Sequence, residues 1–116
     1  MISYRQADLL ESLKPKPLGL RVIFDLKKEK PRVIDIKTVR LVSDDRYLEY
    51  SRTLKNLLDS YIDEFANADE FGDKISVLQS AIQSVVKTLQ KSNRMTNEEP
   101  LHEDIDDKLE WVVWIR

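Results

Sequence analysis

Apolar and polar positions alternate along this chain with two different periods, and each change of period marks a new element. Over residues 20–27, Leu20, Val22, Phe24 and Leu26 share one parity, and Arg21, Asp25 and Lys27 share the other. That period of two is the signature of a strand with one buried face. Lys28-Glu29-Lys30-Pro31 makes a turn, and residues 32–42 return as the second strand of a hairpin. In the return strand Ile34 and Ile36 share one parity while Val39 and Leu41 take the opposite one, which implies a bulge near Lys37 and Thr38 or a strand buried on both sides at its ends.

The period then lengthens. Ser43-Asp44-Asp45 is an N-cap cluster with negative charge where a helix dipole favours it. The helix it opens carries Tyr47, Tyr50, Leu54, Leu57, Leu58, Tyr61, Ile62 and Phe65 on a broad stripe, and Gly72 is its natural break. A second helix over residues 73–92 places Ile75, Leu78, Ile82, Val85 and Leu89 at spacings of three and four, a narrow heptad-like seam. The pair predicts an antiparallel helical hairpin over residues 44–92. Ahead of the strands, Ser3 and the apolar Ala7, Leu9, Leu10 and Leu13 predict a short helix over residues 1–14. Lys14-Pro15-Lys16-Pro17 ends it, because each proline disfavours helix in the residue before it.

Residues 93–107 are polar and acidic with one proline and read as a mobile loop. In residues 108–116 both parities are apolar: Leu109, Trp111, Val113 and Ile115 on one, Val112 and Trp114 on the other. That describes a strand covered on both faces. The expected fold is α+β in one domain spanning residues 1–116. It combines a short N-terminal helix, an antiparallel β-hairpin sharing one small sheet with the C-terminal strand, and a two-helix hairpin packed against that sheet.

Composition narrows what such a domain does. The 116 residues include no cysteine, which excludes disulfides, thiol catalysis and cysteine-based metal sites. Residues 1–8 lack the basic-then-apolar pattern of a signal peptide, no apolar run is long enough to span a bilayer, and the expected location is the cytoplasm. The net charge of −2 conceals a division: residues 1–42 hold ten Lys/Arg against five Asp/Glu, whereas residues 43–116 hold nine against sixteen. The simplest account is that the basic hairpin and acidic helices neutralise each other; the other is a basic surface for an anionic partner.

Few residues offer chemistry. The one histidine, His102, stands among Glu98, Glu99, Glu103, Asp104, Asp106 and Asp107 without the alternating ligands and turn glycine of a calcium loop, and it reads as part of a solvated linker. Gly19 and Gly72 stand alone, so no phosphate-cradling loop exists. The hairpin holds one more specific arrangement, with Asp25 late in the first strand and Asp35 and Lys37 on one face of the second. Over about residues 11–38 this resembles the core of the PD-(D/E)XK nuclease superfamily, with Phe24 where that family places a proline. The resemblance implies a magnesium site built on Asp25 and Asp35, a lysine (Lys37) orienting water or phosphate, and Glu11 as a further acid.

Ranked by the residues, the first expectation is a small non-catalytic protein-binding module without cofactor or metal, an adaptor, inhibitor or assembly subunit whose partner is another protein or a second copy of itself. Trp111, Trp114 and Ile115 are its candidate interface. The alternatives are a nucleic-acid-binding ribbon using Lys14, Lys16, Lys27, Lys28, Lys30, Arg32 and Arg40, and the metal-dependent nuclease.

Overall fold

The computed structural model describes residues 16–40, 43–68, 72–104 and 106–116; the helix expected over residues 1–14 lies outside them. Four antiparallel strands form one sheet in the order β2-β1-β4-β3, where β1 is Leu18–Asp25, β2 Arg32–Thr38, β3 Met95–Asp104 and β4 Lys108–Ile115. Two helices, α1 (Arg46–Ala66) and α2 (Lys74–Lys91), separate β2 from β3 in the chain and pack on each other as a hairpin.

The alternation in β1 decides which face the helices cover. Leu18, Leu20, Val22 and Phe24 lie in register with Ile115, Val113, Trp111 and Leu109 of β4, and all eight are buried. Against them pack Leu54, Leu58 and Ile62 of α1 and Val77, Leu78, Ala81, Ile82, Val85 and Leu89 of α2. Fully burying one such side chain contributes on the order of 1.5–3 kcal/mol, so this single layer carries most of the stability. The expected α2 seam holds from Leu78 to Leu89; Ile75, one turn earlier, is 43% exposed because it precedes the region of contact. The indole of Trp111 is buried without an orphaned donor, since its Nε1 donates to a Glu98 carboxylate oxygen at 2.9 Å.

Two differences from the sequence reading have physical causes. The bulge falls earlier: Ile23 pairs with Asp35 but Phe24 pairs with Val33, leaving Ile34 as the extra residue. Val33 and Ile36 therefore point into the core, and Ile34 is thrown outward at 47% exposure.

Most of the expected loop over residues 93–107 is the strand β3, paired with β4 through two register breaks. Its side chains from Thr96 to Pro100 are exposed, so no apolar alternation marks it. Backbone pairing holds it, and the acids, Pro100 and the bulges are what edge strands use against unwanted pairing. Asn93 lies two residues before this strand. With φ 55° it adopts the left-handed conformation, and Asn93 N–H and Arg94 N–H donate to the carbonyls of Gln90 (3.1 Å) and Leu89 (3.0 Å). That Schellman arrangement stops α2 and turns the chain directly into the sheet.

The C-terminal strand β4 joins the sheet as expected, hydrogen-bonded to β1 on one side and β3 on the other.

Candidate functional site

Of the expected interface residues, Trp111 and Ile115 are 1% and 0% exposed in the core, and only Trp114 presents surface. Trp114 lies on the sheet face opposite the helices, over Gly19 and beneath the Arg40 guanidinium, which is 6.0 Å from the ring centroid.

The hairpin acids are spread along the sheet. Asp25 sits opposite Arg32 at the turn end, where its carboxylate accepts the Lys27 N–H at 2.9 Å. Asp35 lies opposite Ile23, and its carboxylate stands 3.6 Å from Lys37 Nζ. Among the described residues no group of three or more His, Asp or Glu side chains is placed to hold a metal ion; Glu11 lies outside those residues.

The basic residues divide between the two ends of the hairpin. Lys27, Lys28, Lys30 and Arg32 gather at the β1–β2 turn. Lys16 and Arg40 lie at the far end, roughly 25 Å away along an eight-residue strand. Lys14 lies outside the described residues. At the turn, Lys28, Glu29, Lys30, Pro31 and Arg32 face Asn67, Asp73 and Lys74 across a cleft of about 500 Å³.

A second, open concavity lies between one flank of α1 and the edge of β2 that no described strand pairs with. An α-helix advances 100° per residue, so Tyr47, Ser51, Lys55 and Asp59, each four apart, form a row along one side of α1. This row faces Val33, Ile34, Asp35 and Ile36 across a groove of about 610 Å³ that Arg52 and Asn56 also line. The groove continues past Val33, Lys55 and Asp59 into a second hollow of about 290 Å³ reaching Lys30, Pro31, Arg32, Ile62 and Asp63. Lys30, Pro31 and Arg32 also line the turn cleft, on the other side of the Lys30–Asp63 pair.

Each end of the free edge is closed differently. At one end the Tyr47 hydroxyl donates to the Ile36 carbonyl at 2.5 Å, and at the other Lys30 Nζ is bonded to Asp63. Between these stops Ile34 projects outward. Leu48, 72% exposed, lies on the same flank of α1, between Ser51 and Arg52 in angle. Ser51 also lines the groove, with its Oγ turned away from solvent and without a hydrogen-bond partner among the described residues. Partial burial pushes the Asp59 carboxyl above its ordinary range, while the Lys55 and Arg32 charges pull it back and Asp63 adds to the rise.

Compared with known protein families, curated proteins and solved structures, the chain has no significant match. The geometry of the groove is thus the basis for a functional reading. Sequence reasoning missed it for two reasons. The residues lining α1 are the polar complement of its buried stripe and look like any solvated helix face. Ile34 in turn becomes a surface residue only through a bulge whose position the parity pattern misplaced by about three residues.

Proposed function

We propose that this domain is a protein-binding module that receives an extended segment of a partner in the groove between β2 and α1. The observation that carries the reading is the stretch of β2 from Arg32 to Ile36, whose outer edge no strand among the described residues pairs with, flanked by a helix wall and by the outward Ile34. An edge strand offers unpaired main-chain groups to an incoming strand, and a groove beside it supplies side-chain selection. The opposite edge, β3, lacks this combination: it carries Glu98, Glu99, Pro100 and Glu103 and two register breaks.

The test is selection of random extended peptides displayed on phage against the immobilised domain. Enriched peptides should lose binding to Ile34→Asp and keep it with Lys87→Asp, an exposed position on α2 away from the groove. Absence of enrichment on folded protein, or binding indifferent to Ile34, would refute the reading. Parallel titration with single- and double-stranded oligonucleotides separates it from nucleic-acid binding, which should weaken when Lys28, Lys30 and Arg32 are replaced.

A further inference from the structure

The charges along the groove are sorted by sign. On α1 the charged residues lining the two hollows are Arg52, Lys55, Asp59 and Asp63 in that order, so cations precede anions. On β2 they are Lys30, Arg32 and Asp35, again cations before the anion. The two elements run in opposite directions, since Tyr47 is bonded to Ile36 and Asp63 to Lys30. Each row therefore changes sign near its middle, at the level where Val33, Lys55 and Asp59 line both hollows.

A row that is positive in one half and negative in the other matches a copy of itself laid alongside in reverse, and repels a copy laid in the same direction. A two-fold axis does the former, because it sets one patch against itself, reversed. Arg52 and Asp59 stand about 10 Å apart along the helix, with such an axis midway between them. Approach about that axis brings Arg52 of each copy to Asp59 of the other, and on the strands it carries Arg32 of each copy toward Asp35 of the other. Ile34, next to Val33, then lies beside its counterpart, which takes out of water the apolar side chain that the bulge exposes. The opposite edge of the sheet lacks this property. β3 carries Glu98, Glu99 and Glu103 with no Lys or Arg, so two copies of that edge repel each other in any register.

From this placement we infer that the occupant of the groove is a second copy of this chain. The two β2 strands meet edge to edge, antiparallel, about a two-fold axis beside Val33, which joins the two sheets into one with both helical layers on the same side. α1 of each copy packs along α1 of the other. The Arg52–Asp59 pairs set orientation and register, while the strand edges and the paired Ile34 side chains supply the contact. Tyr47, whose hydroxyl occupies the Ile36 carbonyl, and the Lys30–Asp63 pair mark where strand pairing ends.

This inference rests on the groove reading and names its occupant, and its test separates the two. Sedimentation equilibrium of the full chain, from micromolar to near-millimolar concentration, should show a reversible monomer–dimer equilibrium. Arg52→Glu and Asp59→Arg should each weaken the dimer at least tenfold, because each sets like charges together twice. An equimolar mixture of these two variants should restore it, as should both substitutions in one chain, while Lys87→Glu changes nothing. Ile34→Asp should leave a monomer with an unchanged circular dichroism spectrum. A wild-type chain that stays monomeric throughout overturns the inference; the groove reading survives if displayed peptides still bind through Ile34, and falls with it if none do. A dimer indifferent to Ile34→Asp or to the single charge reversals, or single variants that do not associate when mixed, places the contact elsewhere and overturns the inference as well.

Discussion

Adding a single carbon at Gly19 tests the packing on the sheet face away from the helices. A Cβ there would stand 2.7, 2.9 and 3.0 Å from three carbons of the Trp114 ring, whereas carbon atoms in favourable contact sit at about 3.5–4.0 Å. The ring is rigid, so it must swing aside or the two strands must part. Overpacking of this kind costs about 1–3 kcal/mol. Swinging also separates the indole from Arg40, for a further loss of about 0.5–1 kcal/mol. Backbone conformation adds nothing to the penalty, because Gly19 does not have positive φ. Alanine is in fact favoured over glycine within a strand by roughly 0.5–1 kcal/mol. Gly19→Ala should therefore destabilise the protein by about 1–3 kcal/mol. In a Trp114→Ala background it should be neutral or mildly stabilising. Urea unfolding of the four proteins, followed by far-ultraviolet circular dichroism, closes a double-mutant cycle with an expected coupling of roughly 2–3 kcal/mol. A Gly19→Ala cost that is the same in both backgrounds, within about 0.5 kcal/mol, would refute the contact.

Asp59 and Asn93 give two further predictions. The folded-state pKa of Asp59 is raised, so the native state binds protons more readily than the unfolded chain; its carboxylate is a liability above that pKa, and the liability fades as pH falls through it. Asp59→Asn should accordingly raise the thermal midpoint at pH 7 and have little effect near pH 3, and a larger benefit in acid would contradict the assignment. At Asn93, whose φ is 55°, alanine should cost about 1–2 kcal/mol in chemical denaturation and glycine almost nothing. Equal stability of the alanine and glycine variants would argue against the left-handed turn.

What could be read from the sequence followed how strongly burial marked each segment. β1 and α2 each bury one regular face, so their periods of two and of three to four survive in the order of residues. β3 buries little side-chain surface. Its structure comes from backbone pairing to β4, and its acids and Pro100 gave the same signal as a loop. The hairpin was visible but its bulge was not, because shifting one residue exchanges every face assignment beyond it and Val33, Ile34 and Ile36 are all acceptable on either side. The groove was least legible. It depends on two elements meeting, β2 and α1, and neither Ile34 nor the Tyr47–Ser51–Lys55–Asp59 row carries information about the other in sequence. Asp35 and Lys37 show the converse, since a short pattern on one strand face does bring two side chains together as an ion pair.

The central position of β4 also constrains the order in which the domain can be assembled. β1 can pair with β2 as soon as the hairpin is synthesised, but its other edge waits for residues 108–115. A growing chain that has completed both helices therefore carries a hairpin whose second neighbour has not yet emerged from the ribosome. During that interval the main-chain groups along that edge of β1 are open to any strand that arrives, including the β4 of a neighbouring chain. Closing the sheet needs contacts between residues some 90 positions apart, which places the slow step of folding at the capture of β4 rather than in the helices.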